Sequence, residues 1–399
     1  MARDVVEFDP FSETFFDDPY ETYSWLRDND PVHFNSHYGF YTLSRHADVV
    51  AAHSDPTRLV SSYGSTVEML VKKQKIPSNM MIFLDPPEHT QVRRLVNQAF
   101  SRRTIEGLEP LVTGTITRCL DHLEGLDRFD VVTDFAALFP VEVISAMLGV
   151  PSSERQQLRH WTDTFLYRRP GDPRTTQEGM EAAIEMASYF LELARHKRKQ
   201  PDDMIISKLN DVVISDVDGP EHRLSDEDVA ALSSLMAAAG SETVTKLVGS
   251  AVVLFDEHPE QWELVVADEQ LIPSAVEEAL RMHPPSQYQG RFAIEDITFE
   301  GGTIPAGSPT LLLTGAATRD PRVFERPDDF VVTRNSHTSL AFGFGIHSCL
   351  GAWLARLESR VAFGQIRRRW PRFEVDREGL RRVNMSNVAG YSNVPVAVG

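Results

Sequence analysis

The residue with the clearest chemical potential is a cysteine near the C-terminus. Phe342-Gly343-Phe344-Gly345-Ile346-His347-Ser348-Cys349-Leu350-Gly351 places Cys349 in a turn with three glycines. A thiolate is the metal-binding form of cysteine, and its pKa falls at a helix N-terminus. From Leu350 to about Trp370 the apolar residues Leu350, Leu354, Leu357 and Val361 recur at helical spacing, with Arg367, Arg368 and Arg369 in the last turns. Basic residues there suit the negative end of the dipole, so the positive end points at Cys349. Gly343, Gly345 and Gly351 permit positive φ and close approach of backbone to a flat ligand. Two other readings stand beside a thiolate ligand. Cys349 could be a small buried residue, or half of a zinc site with His347. Structural zinc needs four ligands, and Cys119 is the only other cysteine.

A second group lies in the middle of a long helical pattern. Leu224-Ser225-Asp226-Glu227-Asp228 is a strong helix start: Ser225 can cap, Asp228 completes the box, and three acids sit at the positive end of the dipole. The spacing predicts a helix to Glu257, stopped by Pro259, of roughly 30 residues and about 45 Å. Its middle reads Ala237-Ala238-Ala239-Gly240-Ser241-Glu242-Thr243. A mid-helix Gly costs about 1 kcal/mol against Ala, and a Thr hydroxyl can bond back to the carbonyl four residues earlier. Small residues could leave room above a ligand plane. They equally serve tight helix packing, which is the better reading from the residues alone.

Two further constellations are weaker singly. Glu278 and Arg281 sit at i,i+3 on one helical face, and by spacing alone they read as a solvated pair of little worth. His89 and Arg93 sit at i,i+4 on a helix entered through Asp85-Pro86-Pro87. Arginine does not ligate metals, so this face suits an anion.

The elements that must position these groups are mostly helices. After an amphipathic helix at 19–28, a hairpin is expected at 32–34 and 40–43, and a short helix at 47–54. Helical patterns dominate from 88 for nearly 200 residues, broken at Pro110, Pro140, Pro151, around Pro201 and at Gly219. Strands return at 292–299 and 310–313, a Pro-punctuated meander follows, and the tail 383–398 reads as strands turning at Gly390. The fold class is therefore mainly α with small β-sheets, compatible with one domain over 1–399. The 399 residues are 42% hydrophobic and 25% charged, with a formal net charge of −18. That balance opposes nucleic-acid or anionic-membrane partners. Two cysteines give no disulfide framework. Neither an apolar signal core nor a run of about eighteen apolar residues occurs, so the expectation is a cytoplasmic protein without a membrane anchor.

The cysteine string resembles the haem-binding signature Phe-Gly-x-Gly-x-His-x-Cys-x-Gly of the cytochrome P450 family. The resemblance to its soluble bacterial-type members covers essentially the whole chain. It implies the triangular, mostly helical fold with one long central helix, haem b as cofactor, and Cys349 as the iron's thiolate ligand within a string that includes Phe342 and Gly343. Ala239-Gly240-Ser241-Glu242-Thr243 resembles the family's oxygen-activation motif. It implies that Thr243 orders a proton relay, that Glu242 feeds it from solvent, and that Ala239 and Gly240 border the oxygen pocket. Glu278 and Arg281 resemble a buried Glu-x-x-Arg pair. Its usual third partner is missing, because the meander reads Pro327-Asp328-Asp329-Phe330; Arg326 and Arg334 stand as replacements. His89, Arg93, Arg291 and His347 match the residues that hold the haem propionates. The implied reaction inserts one atom of O₂ into a lipophilic small molecule, by hydroxylation or epoxidation. Electrons would come from a ferredoxin or flavodoxin and its NAD(P)H reductase, docking on a patch of Arg94, Arg102, Arg103, Arg356 and Arg360. Pocket walls are expected from 61–83, 165–169, 235–239, 286–289 and 389–393, with Met81, Phe83, Leu235, Ala238, Gln287, Tyr288 and Tyr391 among them. The alternatives are an H₂O₂-using peroxygenase, which the acid–alcohol pair opposes, and a non-enzymatic haem sensor or carrier.

Overall fold

A 32-residue helix, Asp226–Glu257, runs through the protein and buries most of its length. Its start is the predicted capping box: the Asp228 N–H donates to Ser225 Oγ, and the Ser225 N–H donates to the Asp228 carboxylate, both at 3.0 Å. At about 1.5 Å per residue it is about 48 Å long. We call it the central helix. The computed structural model describes residues 8–215, 221–336 and 338–399. The opening residues 1–7 and the break read at Gly219 lie outside the described residues.

Around the central helix pack the helices Phe139–Leu148, Arg155–Leu166 and Gln177–Lys199, and the cysteine helix Ala352–Arg369. They share one large apolar core that includes Val244, Leu247, Val248, Ile144, Phe190, Leu354 and Leu357. Gly240 is a packing point in it. A Cβ there would lie 2.9 Å from Ile144 Cγ1, so the glycine admits the neighbouring helix. Gly240 thus has a packing role beside the oxygen-pocket role that the resemblance implies.

A five-stranded sheet lies beside the helices: β1 (Val32–Asn35), β2 (Phe40–Leu43), β3 (Leu59–Val60), β4 (Gln289–Ala293) and β5 (Ser308–Leu312), in the order β1-β2-β5-β4-β3. β2 and β5 run parallel, Thr310 against Tyr41, and β4 and β5 antiparallel, Thr310 against Arg291. The strand expected at 292–299 is divided. β4 ends at Ala293, and Ile297–Phe299 forms a separate hairpin with Gly302–Ile304. A second core seats the N-terminal aromatics Phe8, Phe15 and Tyr23 against this sheet, together with Tyr288.

The helix Ile272–Met282 carries the Glu278–Arg281 pair, and both side chains are fully buried. The guanidinium donates from Nε and Nη2 to the two carboxylate oxygens, each at 2.8 Å, and from Nη1 to the Thr318 carbonyl at 3.1 Å. Arg334 is the third partner, donating from Nε to Glu278 Oε1 at 3.0 Å; the Val331 N–H and Ser336 hydroxyl complete the shell at 3.0 and 2.9 Å. Arg326 instead faces Asp329 at the surface, 3.1 Å away. The solvated-pair reading is thus overturned. Four residues, Arg281 of the same helix and Val331, Arg334 and Ser336 of the meander, close over this carboxylate, and a charge so buried is held only because its oxygens are met.

Candidate active site

The cysteine loop is shaped before any ligand is considered. Gly343 and Gly345 have φ of 68° and 69°, a region glycine enters without cost. The Gly343 N–H donates to the Leu340 carbonyl at 2.7 Å, and the Cys349 N–H to the Phe342 carbonyl at 2.7 Å. A Cβ on Gly345 would lie 2.5 Å from the His53 carbonyl oxygen. Gly345 therefore seats the loop on the helix His46–His53. Cys349 itself is exposed on the loop. Protein packed around the remainder of the thiol pushes its pKa up. The Gly351 N–H, Arg93 and Arg356 pull in the opposite direction without reversing the shift. The helix begins at Ala352, two residues later than the periodicity predicts, so the thiol precedes its first turn.

Beside the loop sits a cluster of donors. His89 and Arg93 lie on the helix Glu88–Asn97; Arg291 lies on β4 and His347 in the loop's 3₁₀ turn Gly345–His347. The His89 and His347 rings are 4.1 Å apart. His347 Nε2 is hydrogen-bonded to Ser61 Oγ at 3.1 Å. Both nitrogens of buried His89 lack a hydrogen-bond partner among the described residues, as do both of buried His53. Burial, with the charge of Arg93, takes His89 down to about 4. Burial, Arg291, His89, Arg93 and His53 together take His347 down to about 2. Burial lowers Arg291 to about 10 against the pull of Asp85. Arg93 and Arg291 keep their charge beside two histidines that burial holds neutral, and such a set of cations and ring nitrogens suits a buried anion.

On the central helix, Thr243 Oγ1 donates to the Ala239 carbonyl at 3.0 Å, the expected back-bond. Ala239 is exposed, although it lies mid-helix. Glu242 is the residue preceding Thr243 on the helix. It is 1% exposed, and its Oε2 lies 2.8 Å from Lys246 Nζ. Asp163, on the helix Arg155–Leu166, sets its own carboxyl against it. The expectation that Glu242 itself draws protons from solvent is thus corrected, because its carboxyl is sealed from solvent.

The family model for cytochrome P450 matches residues 33–388. The chain belongs to the cytochrome P450 family. Among its relatives, the Mycobacterium tuberculosis protein designated cytochrome P450 123 is 39% identical over 392 residues, covering 98% of this chain and 96% of the relative. Vitamin D(3) 25-hydroxylase of Pseudonocardia autotrophica is 37% identical over 400 residues, covering 98% and 97%. A Bacillus megaterium cytochrome P450 solved in complex with testosterone superposes with a TM-score of 0.87 at 27% identity, covering 96% of this chain and 98% of that one. The chain is accordingly a haem monooxygenase with the P450 fold.

The residues present fit a haem. The unpartnered nitrogens of His89 and the depressed Arg291 and His347 call for carboxylates, which the two haem propionates are. Among the described residues no cluster of three or more His, Cys, Asp or Glu could hold a metal. Cys349 would be the residue to hold a P450 iron. No described helix is long and apolar enough to cross a membrane.

Other expected residues are dispersed. Leu235 and Ala238 line the central helix, and Met81 and Phe83 form a buried 3₁₀ turn near the main core. Gln287 is tied instead to Tyr23, whose hydroxyl donates to its Oε1 at 3.3 Å, and to the Pro284 carbonyl. Tyr288 packs with Phe15 in the N-terminal core. Tyr391 lies in the main core under the Arg382 guanidinium, 4.1 Å away. These three are buried and take part in packing. In the expected docking patch Arg94, Arg103 and Arg360 are exposed. Arg102 pairs with Glu106 at 2.7 Å, and Arg356 pairs with Glu277 at 2.5 Å and covers Phe342. Sequence reasoning missed His53, Lys246 and Asp163. Lys246, at i,i+4 from Glu242, was within reach of the helical spacing rule; His53 and Asp163 gave no local signal.

Proposed function

We propose that this P450 oxygenates a lipophilic small molecule, hydroxylating or epoxidising it, in the cytoplasm, with electrons delivered by a separate ferredoxin or flavodoxin and its NAD(P)H reductase. The observation that carries this is an exposed cysteine on a glycine-shaped loop beside a cluster of two arginines and two histidines, of which His89 is buried with both ring nitrogens unpartnered among the described residues. Cys349 would hold the haem iron; His89, Arg93, Arg291 and His347 would hold the propionates. Bound haem supplies the centre at which O₂ is reduced and cleaved, and thiolate donation favours that cleavage. The chain's own contribution is positional and protonic. The Thr243 hydroxyl, held by Ala239, can orient a proton donor beside the exposed mid-helix surface. Glu242, held ionised by Lys246 against the effect of burial, can pass protons to that hydroxyl. Leu235 and Ala238 would give the substrate an apolar wall. The relatives named for vitamin D(3) hydroxylation and solved with testosterone support a steroid-like or similarly lipophilic substrate.

The test is turnover of a steroid and terpenoid panel with O₂, NADPH and a surrogate ferredoxin–reductase pair. Oxygenated product that disappears without the redox partners supports the reading. Thr243→Ala should lower the fraction of electrons recovered in product by about 10-fold, leaving substrate binding unchanged. Turnover driven only by H₂O₂, or binding without product, would replace it.

A further inference from the structure

Glu242 is sealed from solvent, so its proton must arrive through another group. Asp163 is the one that meets both sides. Its side chain is 37% exposed, and Oδ2 faces the half-exposed Arg159 at 3.9 Å. Its Oδ1 is buried and receives no N–H or O–H donor from the described residues. The carboxyl with which it makes contact is that of Glu242. Two carboxylates in contact cannot both stay ionised at neutral pH. Lys246 supplies one positive charge at 2.8 Å, enough for one of them. Arg159 is too far and too wet to neutralise the other. A single proton between the two removes the repulsion and gives the buried Asp163 oxygen its partner.

We propose that Asp163 is the solvent-side proton carrier of this P450, sharing one proton with Glu242 and passing it from the surface to the central helix. The proposal rests on the reading that Glu242 and Thr243 serve oxygen reduction. In each cycle the proton on Asp163 moves to the Glu242 carboxylate, and water at the Arg159 edge returns a proton to Asp163. The asymmetry of the pair sets the direction. Burial, then the hydrogen bond and charge of Glu242, raise Asp163 well above the ordinary carboxyl range. Burial also acts to raise Glu242, but Lys246 and Asp163 outweigh it and hold it low. The proton therefore rests on the solvent-side member and is drawn inward only on demand. The charged groups acting on Asp163 are Glu242 and Lys246 from the central helix and Arg159 from its own helix.

Infrared difference spectra of the resting holoenzyme at pH 7 test this without turnover. Wild type minus Asp163→Asn should contain a carboxylic-acid C=O band that shifts in D₂O. No such band means that the pair holds no proton, and the proposal fails. Kinetics supply the second arm. Asp163→Asn should lower product formation per NADPH by about 10-fold and enlarge the solvent isotope effect, with substrate affinity unchanged and Asp163→Glu restoring both. If Glu242→Gln and Thr243→Ala are impaired while Asp163→Asn turns over within twofold of wild type, Asp163 has no role and the relay reading survives. If Glu242→Gln and Thr243→Ala are also unimpaired, the relay reading itself is wrong.

Discussion

The residue with least freedom in the cysteine loop is Gly345, not the cysteine. Its φ of 69° and the His53 carbonyl 2.5 Å from a notional Cβ act together. Backbone atoms cannot yield as a flexible side chain would, so Gly345→Ala must strain the loop or lift it from the helix His46–His53. The expected cost is ~2 kcal/mol, read as a lower thermal midpoint and substoichiometric haem by pigment extraction. The loop's chemistry was legible because Cys349, His347 and the glycines sit in one ten-residue string. The reason for Gly345 was not, because its neighbour is almost 300 positions away.

At the scale of elements, the helix Ile272–Met282 is held by a carboxylate rather than by apolar packing alone. Glu278 accepts from Arg281, Arg334, Ser336 and the Val331 N–H. Arg334→Leu leaves that buried charge short of a partner and should cost about 3 kcal/mol in urea unfolding. Burial acts to raise Glu278, but Arg281, the Val331 N–H and Arg334 outweigh it, so its folded pKa lies below the ordinary 4.5. The folded state thus binds fewer protons than the unfolded one, and stability rises with pH. The cluster's contribution is full above pH about 4.5 and is lost as pH falls through the depressed value. The gap between wild type and Arg334→Leu should therefore be constant from pH 6 to 5 and narrow below 4.5. Helix starts such as Ser225–Asp228 could be read from sequence because capping is local. Arg334 could not be chosen over Arg326, because only the path of the meander decides which of them turns inward. Asp163 was hidden for a related reason. Arg155–Leu166 looks like any solvated amphipathic helix until its neighbour is seen to carry Glu242.

Across the whole molecule, three segments far apart in sequence are joined by one buried ion pair. Arg168, 2% exposed, donates from Nε and Nη2 to Glu68 Oε1 at 3.2 and 2.6 Å, and Ser386 adds a hydroxyl at 3.2 Å. Arg168 Nη1 also ties down the carbonyls of Phe165, Leu166 and Tyr167. The P450 resemblance assigned the walls of the substrate pocket to regions that include 61–83, 165–169 and 389–393; this junction touches the first two and borders the third. Arg168→Ala should raise amide hydrogen exchange at 66–70, 165–168 and 385–388 together, and leave the cysteine helix unchanged. Exchange confined to one segment would mean the junction does not act as a unit. The mainly helical architecture was legible from hydrophobic periodicity. The burial of Gln287 and Tyr288 in the N-terminal core was not, because it depends on which distant aromatics meet the sheet. Everything proposed for the site depends on Cys349 holding iron as a thiolate, and the carbon-monoxide difference spectrum of the reduced protein tests that most directly. Wild type should show the red-shifted thiolate band, and Cys349→Ala should lack it. A wild type without the band, or a band that survives in Cys349→Ala, would contradict the account.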